Sequence, residues 1–274
     1  MINLHELINS EQNSRVKYLK KLHDSRTRRK KGKFILEGYR IIKEAISAEA
    51  IIDQIFMTPS FYNQKEGKEI YSLLEQSKKG DSLTLIEERL LYKIADTDNP
   101  QGIIAITQEN LAGLDDIFLN SKRILLIDRI QDPGNLGTII RTAVAAGIDG
   151  IIILKGSVDI YNLKVLRATM GSIFNISICK DISLEDFLSQ YQAVSAGFKL
   201  ISTSLNTDRY YNQIDYTGKI IISIGNEANG LDEKIIKISD YIVKIPIIGE
   251  IDSLNAAIAA GIIIYKAVEA NGIK

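Results

Sequence analysis

Cysteine, histidine and long apolar runs are scarce in this sequence, and each scarcity excludes some chemistry. The lone cysteine, Cys179, has no partner for an internal disulfide. It stands in the apolar run Ile176–Cys179 and reads as a small buried hydrophobe in a protein of a reducing compartment. The two histidines, His5 and His23, both lie near the N-terminus. The rest of the chain can therefore assemble neither a Ser-His-Asp triad nor a Cys/His metal centre. Catalysis there must draw on carboxylates, Arg and Lys, Ser, Thr, Asn, Tyr and backbone groups. No apolar stretch reaches the ~18 residues a spanning helix needs, and the opening Met1–Glu6 lacks the basic-then-apolar layout of a secretory signal. A soluble, cytoplasmic protein with no membrane contact is expected. Net charge is absent too, because 34 basic residues balance 34 acidic ones.

That balance hides a local excess. Between Arg15 and Lys33 there are ten Lys or Arg residues and one acid, Asp24. A block of one sign either forms a solvated helix face or grips nucleic-acid phosphates. Arg15, Lys17, Arg26, Arg28, Arg29, Lys30 and Lys33 are the candidates for the second role.

The 274 residues suggest two α/β domains. Residues 1–106 alternate helix and strand patterns. A basic helix with Val16, Leu19 and Leu22 on one face is followed by a strand at Phe34–Leu36, a helix over Glu37–Ile46 and a strand over Ile51–Met57. Helices over Lys68–Ser77 and Glu88–Ile94, an extended stretch at Leu83–Leu85 and a strand at Ile103–Ile106 complete this half. Residues 107–121 are polar and read as a linker that carries one short helix. From 122 to 274 the strands are unbroken apolar runs, Ile124–Ile127, Ile151–Leu154 and Ile220–Ile222. Such runs belong to a parallel sheet covered by helices on both faces. The predicted helices between and after them are Leu136–Ala146, Leu163–Met170, Leu184–Tyr191, Asp232–Ile238 and Leu254–Ala270. The last is apolar on every side for three turns, as expected of a helix buried all round and shared with a second subunit.

Three clusters in this second half can carry chemistry. Asp128–Ala143 follows a strand and opens a helix, with Pro133-Gly134 as its turn, Asn135 placed to cap, and Arg141 six residues further on. Gly225-Asn226-Glu227 with Gly230-Leu231 puts a carboxylate between two glycine turns at the end of a buried strand, where open α/β sheets bind ligands. Pro246 is followed by Ser253-Leu254-Asn255, in which Ser253 or Asn255 can cap the last helix. Each cluster alone can be an ordinary strand-to-helix turn. The glycine fingerprint of dinucleotide-binding oxidoreductases is missing.

Taken in series, the clusters resemble the three signature motifs of the SpoU (TrmH-like) branch of the SPOUT RNA methyltransferases, over all of 122–274. The N-terminal part is similar to the substrate-binding domain of many members, which shares its fold with a ribosomal kink-turn-binding protein. Gly32–Gly38 and Asn99-Pro100-Gln101-Gly102 carry that likeness. The chain departs from many members at Ala257, where they have Ser. The resemblance implies a deep C-terminal trefoil knot, an exception to the usual unthreaded connections. It implies S-adenosylmethionine as cofactor, held near Thr203, Gly225, Ile245, Ile247 and Leu254, and a homodimer packed through the last helix. Arg141, Asn135, Glu227, Ser253 and Asn255 are the implied catalytic set, with Asn135 orienting Arg141 and Glu227 anchoring the arginine or another motif. The implied reaction is methylation of a ribose 2′-hydroxyl in RNA, ribosomal (23S-type) RNA before transfer RNA. It needs no metal, because a methyl sulfonium is already electrophilic. The rival readings are a non-catalytic RNA-binding protein, a SPOUT enzyme acting on a base, and a nucleotide-dependent oxidoreductase.

Overall fold

A computed structural model describes residues 7–77, 82–194 and 197–271. The chain divides into two compact units. The first comprises residues up to Asn110 together with Tyr161–Phe174, and the second runs from Leu111 to Ile160 and resumes at Asn175.

The first unit opens with strand β1 (Leu7–Ile8) and helices α1 (Ser14–Lys21) and α2 (Ser25–Lys31). Asn13 and Asp24 cap the helices, accepting from the N–H groups of Arg15 (2.9 Å) and Thr27 (2.8 Å). Gly32, at φ 60°, ends α2 in the left-handed conformation that glycine tolerates. There follow β2 (Lys33–Glu37), α3 (Tyr39–Ser47), β3 (Ile52–Met57), α4 (Pro59–Tyr62), α5 (Lys65–Gln76), β4 (Leu83–Ile86), α6 (Glu88–Ile94) and β5 (Ile103–Gln108). The sheet order is β1-β4-β3-β5-β2, parallel at β1/β4 and β4/β3 and antiparallel at β3/β5 and β5/β2. Glu37 ends β2 rather than opening the next helix. Its carboxylate accepts from the N–H groups of Asp96 (2.8 Å) and Thr97 (3.2 Å). Gln101 Oε1 accepts from Tyr39 N–H at 2.7 Å and lies so close to Gly38 that a Cβ there would come within 2.9 Å of it, so the two stretches that carried the N-terminal likeness pack on each other.

The second unit contains α7 (Leu114–Asn120), β6 (Arg123–Ile127), α8 (Pro133–Ala145), β7 (Gly150–Leu154), β8 (Ser177–Ile182), α10 (Leu184–Val194), β9 (Lys199–Thr203), β10 (Ile220–Ile224), α11 (Glu233–Ile238), β11 (Tyr241–Val243) and α12 (Ala256–Ala270). Its sheet is parallel at every pairing, in the order β11-β9-β10-β6-β7-β8. The architecture is thus a parallel-sheet α/β domain preceded by a smaller α/β domain. Among the described residues no helix is long and apolar enough to cross a membrane.

Two stretches lie elsewhere than expected. The polar stretch 107–121 begins with the end of β5 and contains α7, whose Ile117 and Phe118 are buried in the second core beside Phe187 and Phe198. The helix α9 (Leu163–Thr169), expected in the second domain, groups with the first unit. Tyr161 stacks on Phe34 with ring centroids 4.0 Å apart, Leu163 joins the core of Leu19, Ile35 and Phe56, and Arg167 pairs with Asp96 at 2.9 Å. Apolar periodicity shows that a helix has a face to bury, but not which core receives it.

Candidate active site

Parallel strands bring their carboxyl ends to one side of the sheet. The loops leaving β6, β9, β10 and β11 therefore gather at one edge, beside the point where the strand order reverses. Asp128 extends β6 by one residue, its N–H donating to Ile224 O at 2.9 Å. The chain then turns into α8. The cap is Asp132 and not Asn135: Asp132 Oδ1 accepts from Asn135 N–H at 2.7 Å, with Pro133 in the first turn. This places Asn135 inside the first turn with its amide free for other partners.

Those partners join all three motifs. Asn135 Nδ2 donates to Glu227 Oε1 at 3.1 Å, and Asn135 Oδ1 accepts from Asn255 Nδ2 at 2.8 Å. Asn255 in turn caps α12, its Oδ1 accepting from the N–H groups of Ala257 (2.9 Å) and Ile258 (3.3 Å). Glu227 also receives the backbone N–H groups of Gln131 (3.3 Å) and Asp132 (3.4 Å). Burial opposes ionisation of Glu227, but the Asn135 amide and these backbone donors outweigh it and hold its carboxyl below the usual range.

The loop after β10 is tight. Asn226 and Gly230 exchange backbone hydrogen bonds of 3.0 and 2.9 Å. A Cβ on Gly225 would lie 2.3 Å from the backbone of Gly230 and Leu231, so only glycine fits. Asn226 Oδ1 accepts from the N–H groups of Ala228 and Asn229, both at 3.0 Å, and its Nδ2 donates to Arg129 O at 2.8 Å.

Arg141 stands apart from this chain of bonds. It is exposed on α8, and among the described residues no carboxylate pairs with it. No hydrogen bond joins it to Asn135. Six residues at 3.6 per turn put the two side chains about 120° apart around the helix, and Glu227 and Asn255 occupy the Asn135 amide. Glu227 correspondingly anchors the first motif, not the arginine. Ser253 is exposed, and the capping role falls to Asn255.

The expected donor residues share the same sheet edge. Thr203 ends β9, with Oγ1 donating to Ser223 O at 3.1 Å. Gly225 follows β10, Ile245 and Ile247 follow β11, and Leu254 precedes the cap of α12. Ile245, Ile247 and Leu254 are half-buried. Partly open aliphatic side chains beside irregular backbone suit a flat, apolar ring with polar edges, as adenine is.

In the first unit the basic candidates separate into two groups. Lys17, Arg26, Arg29 and Lys30 are exposed on α1 and α2. Arg28 is buried and donates from Nη1 to Leu22 O (3.0 Å) and His23 O (2.7 Å), which closes the turn after α1. Arg15 is half-buried with Nη1 3.4 Å from Thr84 Oγ1. Lys33 pairs with Asp53 at 2.5 Å, a contact that raises its pKa. These last three serve the fold of the unit.

Sequence reasoning missed Gln131, Asp132 and Asn226. Asp-Pro at a strand-to-helix junction is a capping signal that could have identified Asp132. Nothing local identifies Gln131, whose part in the site is made by its backbone.

Residues 122–265 match the SpoU rRNA methylase family, and residues 13–105 match the MRM3-like substrate binding domain. The chain is similar to the 23S rRNA (guanosine(2553)-2′-O)-methyltransferase RlmP of Bacillus subtilis, with 33% identity over 94% of this chain and 97% of that protein. It superposes on the AdoMet-bound rRNA methyltransferase from Sinorhizobium meliloti with a TM-score of 0.85, at 31% identity over 96% of this chain and 97% of that one. The SpoU methyltransferase AviRb from Streptomyces viridochromogenes, in complex with AdoMet, superposes with a TM-score of 0.82 at 28% identity, covering 94% and 98% of the two chains.

Proposed function

This chain belongs to the SpoU rRNA methylase family, and we propose that it methylates a ribose 2′-hydroxyl of ribosomal RNA, of the 23S type, in the cytoplasm. That it is an RNA 2′-O-methyltransferase with S-adenosylmethionine as donor follows from the family and from the AdoMet complexes of its relatives. The 23S assignment rests on what the relatives act on. The observation that carries the reading within this chain is the bond series Glu227–Asn135–Asn255, which ties the three motifs into one site.

Thr203, Gly225, Ile245, Ile247 and Leu254 hold the donor in this reading, in a pocket shaped by a C-terminal trefoil knot. When bound there, S-adenosylmethionine supplies a methyl group already activated by its sulfonium. The protein's task is then to place a ribose oxygen in line with that methyl, and positioning removes much of the barrier. Arg141, exposed and unpaired by any described carboxylate, is suited to grip the phosphate beside the acceptor ribose and to polarise its hydroxyl. A guanidinium has five N–H donors, no acceptor, and does not deprotonate near neutral pH. The hydroxyl proton therefore leaves through a phosphate oxygen or a water and not through Arg141. Asn135, Glu227 and Asn255 act as positioning residues, holding the acceptor-side loop at the start of α8 to the donor-side loops. Ser253, exposed one residue before Leu254, touches donor or ribose in this reading. The exposed Lys17, Arg26, Arg29 and Lys30 of the first unit supply the electrostatic grip on RNA.

A second copy of the chain belongs to this reading. Helix α12 buries Ala260, Ile263, Ile264 and Ala267 in its own unit, while Ile258 and Tyr265 are 56% and 51% exposed. With half-buried Ile262 they form a stripe at spacings of four and three, one helix face, which the second copy covers.

The test is to map alkali-resistant linkages in the RNA of a strain lacking the gene. Loss of one 2′-O-methyl from 23S-type RNA, restored by the wild-type chain, is expected. Loss from a transfer RNA instead would overturn the ribosomal assignment.

A further inference from the structure

The loop leaving β6 holds an arginine that the mechanism above does not use. Arg129 has φ +56°, a left-handed conformation that side chains avoid and glycine would occupy without strain. Strained non-glycine residues persist where their surroundings over-determine them, and they cluster at functional sites. Here the surroundings are specific. Nε and Nη2 of Arg129 each donate at 2.8 Å to the two oxygens of Asp128, a carboxylate that is almost fully buried. Asp128 Oδ2 also accepts from Asp232 N–H at 2.8 Å. The backbone carbonyl of Arg129 receives the Asn226 amide, which ties it to the loop bearing Glu227. Beside its aliphatic stem lies Gly156, where a Cβ would come within 3.0 Å of Arg129 Cγ. The guanidinium is therefore clamped along one edge while the side chain stays 38% exposed.

The clamp decides what such a group can bind. Asp128 cancels the charge of Arg129, so the pair is a poor competitor for phosphate, unlike exposed Arg141. What remains is a rigid plane with further N–H groups on Nη1, next to loops that assemble the active site. Splayed RNA bases stack on planes of this kind. We propose that the guanidinium of Arg129 is a stacking platform for a nucleobase of the RNA substrate, an inference that rests on the RNA-methylating reading above.

Arg129→Lys keeps a cation for Asp128 and removes the plane. The double variant D128N/R129G removes the plane, the buried charge and the left-handed strain together, and keeps an acceptor for Asp232 N–H. Both are compared with the wild-type chain on ribosomal RNA from cells lacking the enzyme. Wild-type failure to methylate that RNA defeats the ribosomal reading itself. Given wild-type activity, both variants should bind RNA about fivefold to tenfold more weakly, with KM raised more than kcat. Donor affinity by calorimetry and the salt slope of RNA binding should stay at wild-type values. Wild-type KM in both variants overturns the proposal. So does recovery in Arg129→Lys alone, or a salt slope flattened by about 0.7, since either marks a phosphate contact. Loss of donor affinity in step with RNA affinity overturns it as well, because a merely structural Asp128–Arg129 clamp would move both. If the double variant fails to fold, Arg129→Lys alone decides.

Discussion

Arg141 and Glu227 carry opposite charges in the same unit, and the structure treats them in opposite ways. Glu227 receives three donors and is held ionised, whereas Arg141 projects from α8 with no described carboxylate beside it. Removing an exposed, unpaired side chain costs little stability. Arg141→Ala should therefore keep the melting temperature and donor affinity of the wild type while methyl transfer falls by at least about 100-fold, in line with loss of one electrostatic contact to the reacting groups. Arg141→Lys should fail as well, because a point charge does not reproduce the planar fork. Near-normal turnover in Arg141→Ala would remove the acceptor-side role. Glu227 makes a pH-dependent prediction. Its pKa is depressed in the fold, so its contribution to stability is present above the unfolded-state pKa and lost as pH falls through the folded value. A glutamine there accepts through one oxygen only and turns its NH2 toward at least one of the three donors. Glu227→Gln should melt below the wild type at pH 7, and the gap should close as pH drops below the ordinary carboxylate range. A gap of constant size in melting curves from pH 7 to 3 would mean that the carboxylate charge is irrelevant to the motif junction.

At the level of elements, the basic helices separate charge that folds from charge that binds. Arg28 is buried against the carbonyls of Leu22 and His23, so Arg28→Ala leaves them unsatisfied. Hydrogen bonds from a charged donor are worth roughly 1.5–3 kcal/mol each; with two of them lost, a destabilisation of about 3 kcal/mol or more is expected from denaturant titration, and an unchanged midpoint would show the contact to be idle. RNA affinity should respond instead to exposed positions. Replacing Lys17, Arg26, Arg29 and Lys30 with Gln should flatten the log–log salt dependence of RNA binding by roughly 2 to 3, at about 0.7 per lost phosphate contact, and leave donor binding alone. An unchanged slope would make these helices a solvated face. The sequence shows ten cations without showing this division, because burial of Arg28 depends on the turn between two short helices and pairing of Lys33 on Asp53 of β3, two strands away in the sheet. Elements with strong local signals were legible: the apolar runs at β6, β7 and β10, the Val16–Leu19–Leu22 stripe of α1, and α6. Strands β1 and β11, two and three residues long, carry no such signal. The cap of α8 was legible in kind and misplaced by three residues, since Asp132 and Asn135 are both capping types and only the backbone shows which one precedes the first turn.

For the whole molecule, the sequence placed the active residues in the second half but could not show which core claims α9, because Tyr161–Phe174 has the same apolar pattern in either unit. The same ambiguity affects the expected subunit contact. A helix without a polar face suggests a partner on one side, yet Ile263, at the centre of the apolar run, is fully buried in its own unit. An aspartate there would sit unpaired in the core and cost more than about 4 kcal/mol, so Ile263→Asp reports folding rather than assembly. The outward stripe is the informative one. Ile258 lies in the first turn of α12, where a carboxylate complements the helix dipole, and Tyr265 is exposed two turns later. The variant I258D/Y265D should therefore keep the melting profile of a folded unit while placing two charges into any dimer interface. The wild-type chain should sediment at twice its chain mass at micromolar concentration, and the double variant at the chain mass with donor affinity retained or lowered. A wild-type monomer under those conditions would refute the second copy outright. A double variant that stays dimeric would move the interface away from this face of α12.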